Sequence, residues 1–502
     1  MKLRGYLTPL AAGLLVSLLT VHGANLRSGP MLGYSTMKEV LVWVQTDVPA
    51  DVKIKYWEQD LPETAQFTDV VRTNKQTAFV AQCIADKVTW SRVYEYSVII
   101  DGQKVIPRFR KGYAEKGPIP LSFQTQPRWR HAEAADFSPP DFSVALGSCA
   151  YFTEKGYNWE ESKTPYGDHY EIFESIYEHD PDLMIWLGDQ IYLREADWTS
   201  RTGIFHRYNH FRSFPYLRAL FATVHQYAIW DDHDFGPNDI GRTFWNKEAT
   251  LEAFKLYWGN PSYGFKDMPG ITTFFNWGDA NFYLLDNRYY RVAADDDPEP
   301  FGGPKSHHGK EQIDWLVETM RHQQGQDDFA YPSSFNIVVT GNQVLSDSPN
   351  PEGFRNYHSE WQYMIDRIIH AKIDGVIFLT GDVHFTEFSK EVHISGAKSS
   401  TPGNPGASYP FHDLTISPLT SAAFLDPWDN SYRVDIFPDS NDDFITKRNF
   451  AILDFKGPKS DRRIEIRIFD SEGNLINQKH DGKKGQIDGL WILKANDLKA
   501  PK

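Results

Sequence analysis

The sequence predicts an α/β architecture, a layered domain of alternating strands and helices preceded by a small all-β sandwich. Three observations predict it. Beyond about residue 140, short apolar runs alternate with stretches of helical periodicity. Before about residue 135, strand-like runs and turns follow one another with no helical stretch between them. Several of the later runs also stop in carboxylate or imidazole, as in Leu187-Gly188-Asp189, Trp230-Asp231-Asp232-His233-Asp234 and Leu379-Thr380-Gly381-Asp382-Val383-His384.

At 502 residues the chain exceeds one ordinary core, so two or three domains are expected. A hydrophobic share of 41% against 24% charged residues marks a globular protein, and its 15 Trp, 25 Tyr and 33 Phe suit a large core with aromatic-lined surfaces. The formal net charge of −15 argues against a broad attraction to nucleic-acid backbones or anionic lipid. An anionic substrate would have to be drawn in locally, by cations.

The N-terminus carries Lys2 and Arg4, then an apolar run over 7–19, then Val21-His22-Gly23 before Ala24. This pattern over residues 1–23 reads as a secretory signal and predicts an exported protein, periplasmic or secreted. No later segment is long and apolar enough to span a bilayer. The chain has two cysteines, Cys83 and Cys149. Cys83 falls in the early all-β region and Cys149 directly follows a predicted strand, where a ligand would sit, so their contexts argue against a disulfide.

The predicted sandwich covers residues 25–135, with β-branched and aromatic runs at 40–44, 52–57, 79–82 and 93–98 and a hairpin turn at Asp101-Gly102. It carries no cluster of potential ligands, so its expected role is to pack against or shield the next domain. The second domain, over 140–490, has strand candidates at 142–146, Leu183–Leu187, 227–230, 281–285, 335–340 and Val376–Thr380. Helical faces are formed by Tyr166, Tyr170, Phe173 and Tyr177, by Ile313, Leu316, Val317 and Met320, and by Trp361, Ile365 and Ile368. Segments 295–303 and 396–408, rich in Gly, Pro, Asp and Ser, read as exposed loops rimming the site. Runs at 450–455 and 463–469, with Gly473-Asn474 after them, complete a sheet.

Each group able to hold a cation comes just after the carboxyl end of a predicted strand: Cys149 and Tyr151, Asp189 and Tyr192, Asp231 to Asp234, Asn342, and Asp382 with His384. Sheets of this kind bind ligands in the crevice where such ends converge. Carboxylate, imidazole, phenol and thiol held at fixed positions are the donors of a polynuclear metal centre.

These strings resemble the signature of the metallophosphatase superfamily, Gly-Asp-x-x-Tyr, Gly-Asn-His-Asp/Glu and Gly-His-x-His. The first is intact at Gly188, Asp189 and Tyr192. The second has Asp232 where Asn is usual, and the third has Asp382 where His is usual. With Ser148-Cys149 ahead of them, the pattern resembles the alkaline phosphatase D (PhoD-type) branch. Further matches are the run Asp286-Asn287-Arg288-Tyr289-Tyr290-Arg291, then Gly309 with Gln312, Trp315 and Leu316, then Asn342-Gln343-Val344. The resemblance spans about 142–386. It implies a layered β-sandwich core flanked by helices, with a small β-sandwich in front.

The resemblance also implies iron and calcium, Fe(3+) and Ca(2+), with other divalent metals as alternatives. Cys149, Tyr192 and His384 would suit ferric iron; Asp232, Asp382 and Asn238 are oxygen donors suited to calcium; Asp189 would bridge. Whether Tyr151, Phe152 or neither reaches the centre stays open. His233 is expected to stabilise or protonate the leaving oxygen, Asn342 to donate to the phosphate, and Arg288 either to grip the anion or to close a structural ion pair.

The expected function is an exported metal-dependent phosphoesterase. It would act on small phosphomonoesters, phosphodiesters or both through a metal-activated hydroxide. The same site would serve a phospholipase D-like or nuclease-like phosphodiesterase. A reading of another class is an exported calcium-binding or adhesion protein in which metal ions only staple loops. No stable nucleic-acid partner is expected, and the sequence does not choose an oligomeric state.

Overall fold

The computed structural model describes residues 23–113, 117–128, 138–156, 166–293, 305–325, 333–391, 410–434, 444–476 and 490–500. The predicted signal up to residue 22 and the two predicted loops, 295–303 and 396–408, lie outside the described residues.

The first domain is a sandwich of two antiparallel sheets. One joins Leu26–Ser35, Val40–Thr46 and Val80–Ala85; the other is built on Asp51–Glu58 and Val93–Ile100 with short strands at its edges. Alternation places Val52, Ile54 and Tyr56 inward against Val42, Val44 and Cys83. Asp101 and Gly102, both at positive φ (46° and 79°), close the hairpin between Val93–Ile100 and Gln103–Val105. Two left-handed residues in a two-residue loop match the right-handed twist of the strands.

This domain is locked onto the second one by part-buried polar contacts. Tyr34 N–H donates to Gly259 O at 2.7 Å, Trp43 Nε1 to Leu256 O at 2.8 Å and Gln82 Nε2 to Lys255 O at 2.9 Å. Backbone meets backbone here, because a Cβ on Gly33 would lie 2.8 Å from Gly259 O and 2.9 Å from Leu41 Cδ2. We expect Gly33→Ala to destabilise the protein by about 1–3 kcal/mol, since the clash is with main chain and cannot be relieved by a rotamer change. Denaturant unfolding checks this, with an unchanged midpoint as the contrary result.

The second domain contains two facing sheets. In the six-stranded sheet, His225–Ile229, Leu183–Leu187 and Phe142–Gly147 run parallel, followed by antiparallel Asn449–Lys456, Arg463–Asp470 and Trp491–Lys494. In the seven-stranded sheet, Ala280–Leu284, Phe335–Val339, Val376–Thr380 and Phe411–Thr415 run parallel. Thr273–Trp277, Thr386–Glu391 and Phe444–Ile445 complete that sheet. Val144, Ile185, Phe282, Ile337, Leu379 and Leu414 of the two sheets share one apolar cluster.

Helices Lys310–Gly325 and His358–His370 cover the outside of the seven-stranded sheet, setting Ile313, Leu316, Trp361 and Ile365 against Tyr283, Val338 and Phe378. On the opposite side, Phe173, Phe211 and Phe221, from three helices, surround Trp186. The order is therefore helix, sheet, sheet, helix. The predicted helical face from Tyr166 to Tyr177 is shorter than its spacing implied: the helix is Ile172–Glu178, and Tyr166 precedes it in a bend that carries its hydroxyl to within 3.3 Å of His384 Nδ1. Among the described residues, no helix is long and apolar enough to cross a membrane.

Candidate metal centre

The parallel strands of both sheets deliver their carboxyl ends to one place. Cys149 follows Phe142–Gly147, Asp189 follows Leu183–Leu187, and Asp382 follows Val376–Thr380; across the gap, Cys149 Sγ lies 3.5 Å from Asp382 O and 3.9 Å from Asp189 Oδ2. The tips turn sharply. Cys149 (φ 57°), Asp189 (53°), Asp382 (73°) and His384 (57°) all adopt the left-handed conformation. Such residues cost on the order of 1–3 kcal/mol each and persist only when surroundings over-determine them.

Asp234 is one source of that determination. Its carboxylate accepts the N–H groups of Asp189 at 2.5 Å, Gln190 and Asp231 at 3.0 Å, and Ile191 at 3.1 Å, so one side chain holds the whole turn after the strand. Gly188, at φ 100°, leaves the room: a Cβ there would meet Asp231 Cβ at 2.7 Å.

Four overlapping sets of potential ligand atoms result, each with its atoms within 4.8 Å of one another. They are Cys149, Asp189 and His384; Asp189, Asp232 and His233; Asp231, Asp232 and Asp382; and Asp232, Asp239 and Glu352. Asp189 and Asp232 belong to more than one set. Tyr192 joins the first, its hydroxyl 3.2 Å from His384 Nε2. His384 Nδ1 lies 2.7 Å from Ala422 O; donation to that carbonyl puts the proton on Nδ1 and leaves Nε2 free to act as a ligand.

The other anticipated residues are placed as follows. Asn238 is exposed in the turn after Asp232–Phe235, whereas its neighbour Asp239 donates its N–H to Asp232 Oδ2 at 2.9 Å. Arg288 has no exposed surface and ion-pairs with Asp231 at 2.5 Å and Glu352 at 2.6 Å. Arg291 binds Glu352 as well and donates to Asn342 Oδ1 at 2.6 Å. Asn342 turns its Nδ2 toward Asp231 Oδ2 at 3.4 Å and Asp382 Oδ2 at 3.2 Å. Tyr151 packs its ring against Tyr192, with centroids 5.0 Å apart, while Phe152 faces Phe211 and Phe214. Cys83 and Cys149 are both free and buried.

Sequence reading missed Glu352 and Asp239. Glu352 follows no strand end, so only its pairing with two buried arginines reveals it.

The donors fit cations. Asp189, Asp231, Asp232, Asp234 and Glu352 are buried carboxylates and Asp382 is half-buried, yet the guanidiniums set among them are those of Arg288 and Arg291. Burial, then Asp232 and the other aspartates, pushes the Asp189 carboxyl well up; Asp382 is raised by burial and by Asp231. Burial raises Asp231 to about 6 against the pull of Arg288, and raises Asp234 to about 8. Burial opposes ionisation of Asp232 too, but His233, Arg288 and two backbone amides outweigh it and hold this carboxyl below its usual range. Asp232 Oδ1 and His233 Nδ1 are buried without a hydrogen-bond partner. A cation would satisfy the orphaned oxygen and relieve the mutual repulsion. Burial and Asp189 also raise the Cys149 thiol, so its deprotonation calls for a directly bound metal.

A helix-flanked double sheet whose strand tips gather carboxylates, a thiol and imidazoles defines a metal-dependent phosphoesterase of the metallophosphatase type. The family model for PhoD-like phosphatase matches residues 144–449, and a domain of unknown function (DUF7800) matches residues 23–117. The chain belongs to the PhoD-like phosphatase family and is a phosphoric ester hydrolase.

A solved structure of PhoD aligns with a TM-score of 0.62 at 16% identity, covering 92% of this chain and 92% of its own. The purple acid phosphatase PPD1 from yellow lupin (Lupinus luteus) seeds aligns with a TM-score of 0.60 at 12% identity, over 93% of this chain and 74% of its own. Comparison with curated protein sequences finds no match.

Proposed function

We propose that the protein is an exported phosphoesterase with a mixed iron and calcium centre, acting on small phosphodiesters in preference to phosphomonoesters. The observation that carries the metal assignment is the division of donors around Asp189. Thiol, phenol and imidazole of Cys149, Tyr192 and His384 lie on one side, and carboxylates of Asp232, Asp231 and Asp382 on the other. Soft and nitrogen donors favour a transition metal, and hard oxygens favour calcium. Asp189 belongs both to the set with Cys149 and His384 and to the set with Asp232 and His233, and Asp239 lies within reach of Asp232 and Glu352. The N-terminal Lys2 to Gly23 pattern supports export.

When bound, the cations supply Lewis acidity toward the phosphoryl group and a water acidified toward neutrality. The protein's own groups position and donate. His233 is slightly exposed, its ring packed on Tyr192 with centroids 4.3 Å apart and its Nε2 3.9 Å from Asp232 Oδ2. Burial lowers its pKa to about 4 against the pull of Asp232, so at neutral pH it serves the leaving oxygen as a neutral hydrogen-bond donor. Arg288, paired with Asp231 and Glu352, holds carboxylates rather than substrate. Asn342, with its Oδ1 taken by Arg291 and Asn287, fixes Asp231 and Asp382 from behind.

The diester preference rests on the cleft over Asp382 and His384. Among the described residues, no Lys or Arg lines it, and Asp239 and Glu352 do. The second charge of a monoester dianion therefore finds no cationic side chain there. Elemental analysis of unchelated protein should find iron and calcium in comparable amounts. Bis(p-nitrophenyl) phosphate should be hydrolysed faster than p-nitrophenyl phosphate. Protein active without iron, or a faster monoester rate, would contradict the respective half of the proposal.

A further inference from the structure

The cleft has a volume of about 450 Å³, within the usual range for a small-molecule site, and its two ends differ in chemistry. At the inner end are Asp382 and His384. At the outer end Phe424 and Trp428 stand side by side, ring centroids 5.1 Å apart, beside Ala422 and Ala423. Phe424 is 39% exposed and the adjoining Leu425 77% exposed, an unusual amount of apolar surface for one short segment. The segment is tied to the metal-side residues by main chain: Phe424 N–H donates to His384 O at 2.9 Å, and Ala422 O holds His384 Nδ1 at 2.7 Å. The aromatic pair is thus held in register with the inner end of the cleft.

We propose that Phe424 and Trp428 form a specificity-determining subsite that takes an uncharged aromatic group attached to the phosphorus centre. The proposal rests on the phosphoesterase reading above and names the substrate class within it. Charge decides against the alternatives. Asp239, Glu352 and Asp382 line the cleft and, among the described residues, no Lys or Arg does, so an anionic substituent gains nothing beyond the cation-held phosphoryl group. Exposed ring faces recover free energy when a flat apolar group covers them. Among the described residues, the hydrogen bonds of this segment run through its backbone.

Competitive inhibition by phenylphosphonate and methylphosphonate tests this without confusing affinity with leaving-group reactivity. In the metal-loaded parent protein, phenylphosphonate should bind about tenfold tighter than methylphosphonate. Phe424→Ala and Trp428→Ala should each bring the two inhibition constants to within about threefold of one another while leaving the methylphosphonate constant and the metal content unchanged. Equal inhibition by the two compounds in the parent, including none by either, would overturn the subsite, as would full discrimination in both variants. Failure of the underlying reading looks different: neither p-nitrophenyl ester would be hydrolysed at all.

Discussion

Asp189→Asn should lower kcat on bis(p-nitrophenyl) phosphate about a thousandfold and strip most of the bound metal. Asp189 is the residue shared by the set with Cys149 and His384 and the set with Asp232 and His233. An amide in its place substitutes a neutral oxygen and an N–H donor for an anionic carboxylate, and the N–H faces groups arranged to receive a cation. Loss of several kcal/mol of transition-state stabilisation corresponds to about three powers of ten in rate. The substitution isolates this effect because Asn tolerates the left-handed φ of 53° as well as Asp does. The Asp234 clamp acts on the residue's backbone N–H and is untouched. The amide also removes one of several mutually repelling carboxylates, so the metal-free variant should be no less stable than the metal-free parent. Circular dichroism, denaturant unfolding and elemental analysis separate the three consequences. Undiminished turnover in a folded variant would remove Asp189 from the reaction.

The strands that carry the centre were legible because they are fully buried and uninterrupted. Leu183–Leu187 and Val376–Thr380 are short apolar runs ended by Gly-Asp, and burial on both faces demands that pattern. Thr386–Glu391 escaped notice for the opposite reason. Its Thr386, Glu387 and Ser389 are buried, but they bond to one another's neighbours: Glu387 with Arg433 and Gln343, Thr386 with Asn449. A strand stabilised by buried polar pairs looks like a loop in one dimension. Leu26–Ser35 pairs with irregular register and contains Gly29, Pro30 and Gly33, which break alternation. Helix Arg201–Ser213 buries Arg207 and Arg212 beside Ile204, Tyr208 and Phe211, so its apolar stripe is crossed by charges.

The centre itself was half legible. Candidate ligands that follow strands could be read at Cys149, Asp189, Asp232, Asp382 and His384, because strand direction alone predicts where their loops gather. The residues that hold those ligands could not. Asp234, Glu352, Arg288 and Arg291 act mainly through contacts 43 to 64 positions apart in sequence, and Asn342 reaches 111 positions back to Asp231. Arg288 shows the limit most clearly, since the same residue type and position suit gripping an anion or anchoring carboxylates, and only its complete burial between Asp231 and Glu352 decides.

Removing the metals should make stability fall with rising pH over a window set by the buried carboxyls. Asp189 and Asp382 are pushed well above the ordinary carboxyl value by burial and by neighbouring aspartates, and Asp234 is pushed to about 8. A carboxyl with a raised folded pKa keeps its proton in the folded chain while the unfolded chain has already lost it. The folded state then binds more protons, and its stability declines as pH rises toward the folded pKa.

Buried histidines act with the opposite sign. Burial lowers His225 and His233 to about 4 and His308 and His412 to about 3, so deprotonation favours the folded state between those values and about 6.5. The two trends offset each other in mildly acidic solution. Above about pH 6.5 the histidines are neutral in both states, and only the carboxyl trend remains. Chelated protein should therefore lose roughly 5–10 °C in Tm between about pH 6.5 and pH 8.5. The metal-loaded protein should hold its Tm across the same interval, because cations compensate the charges that otherwise repel. Thermal unfolding with chelator and with metals restored measures both curves. Coincident curves would mean that the aspartates at the strand tips carry their charge without help from a cation, and the centre would lose its physical basis.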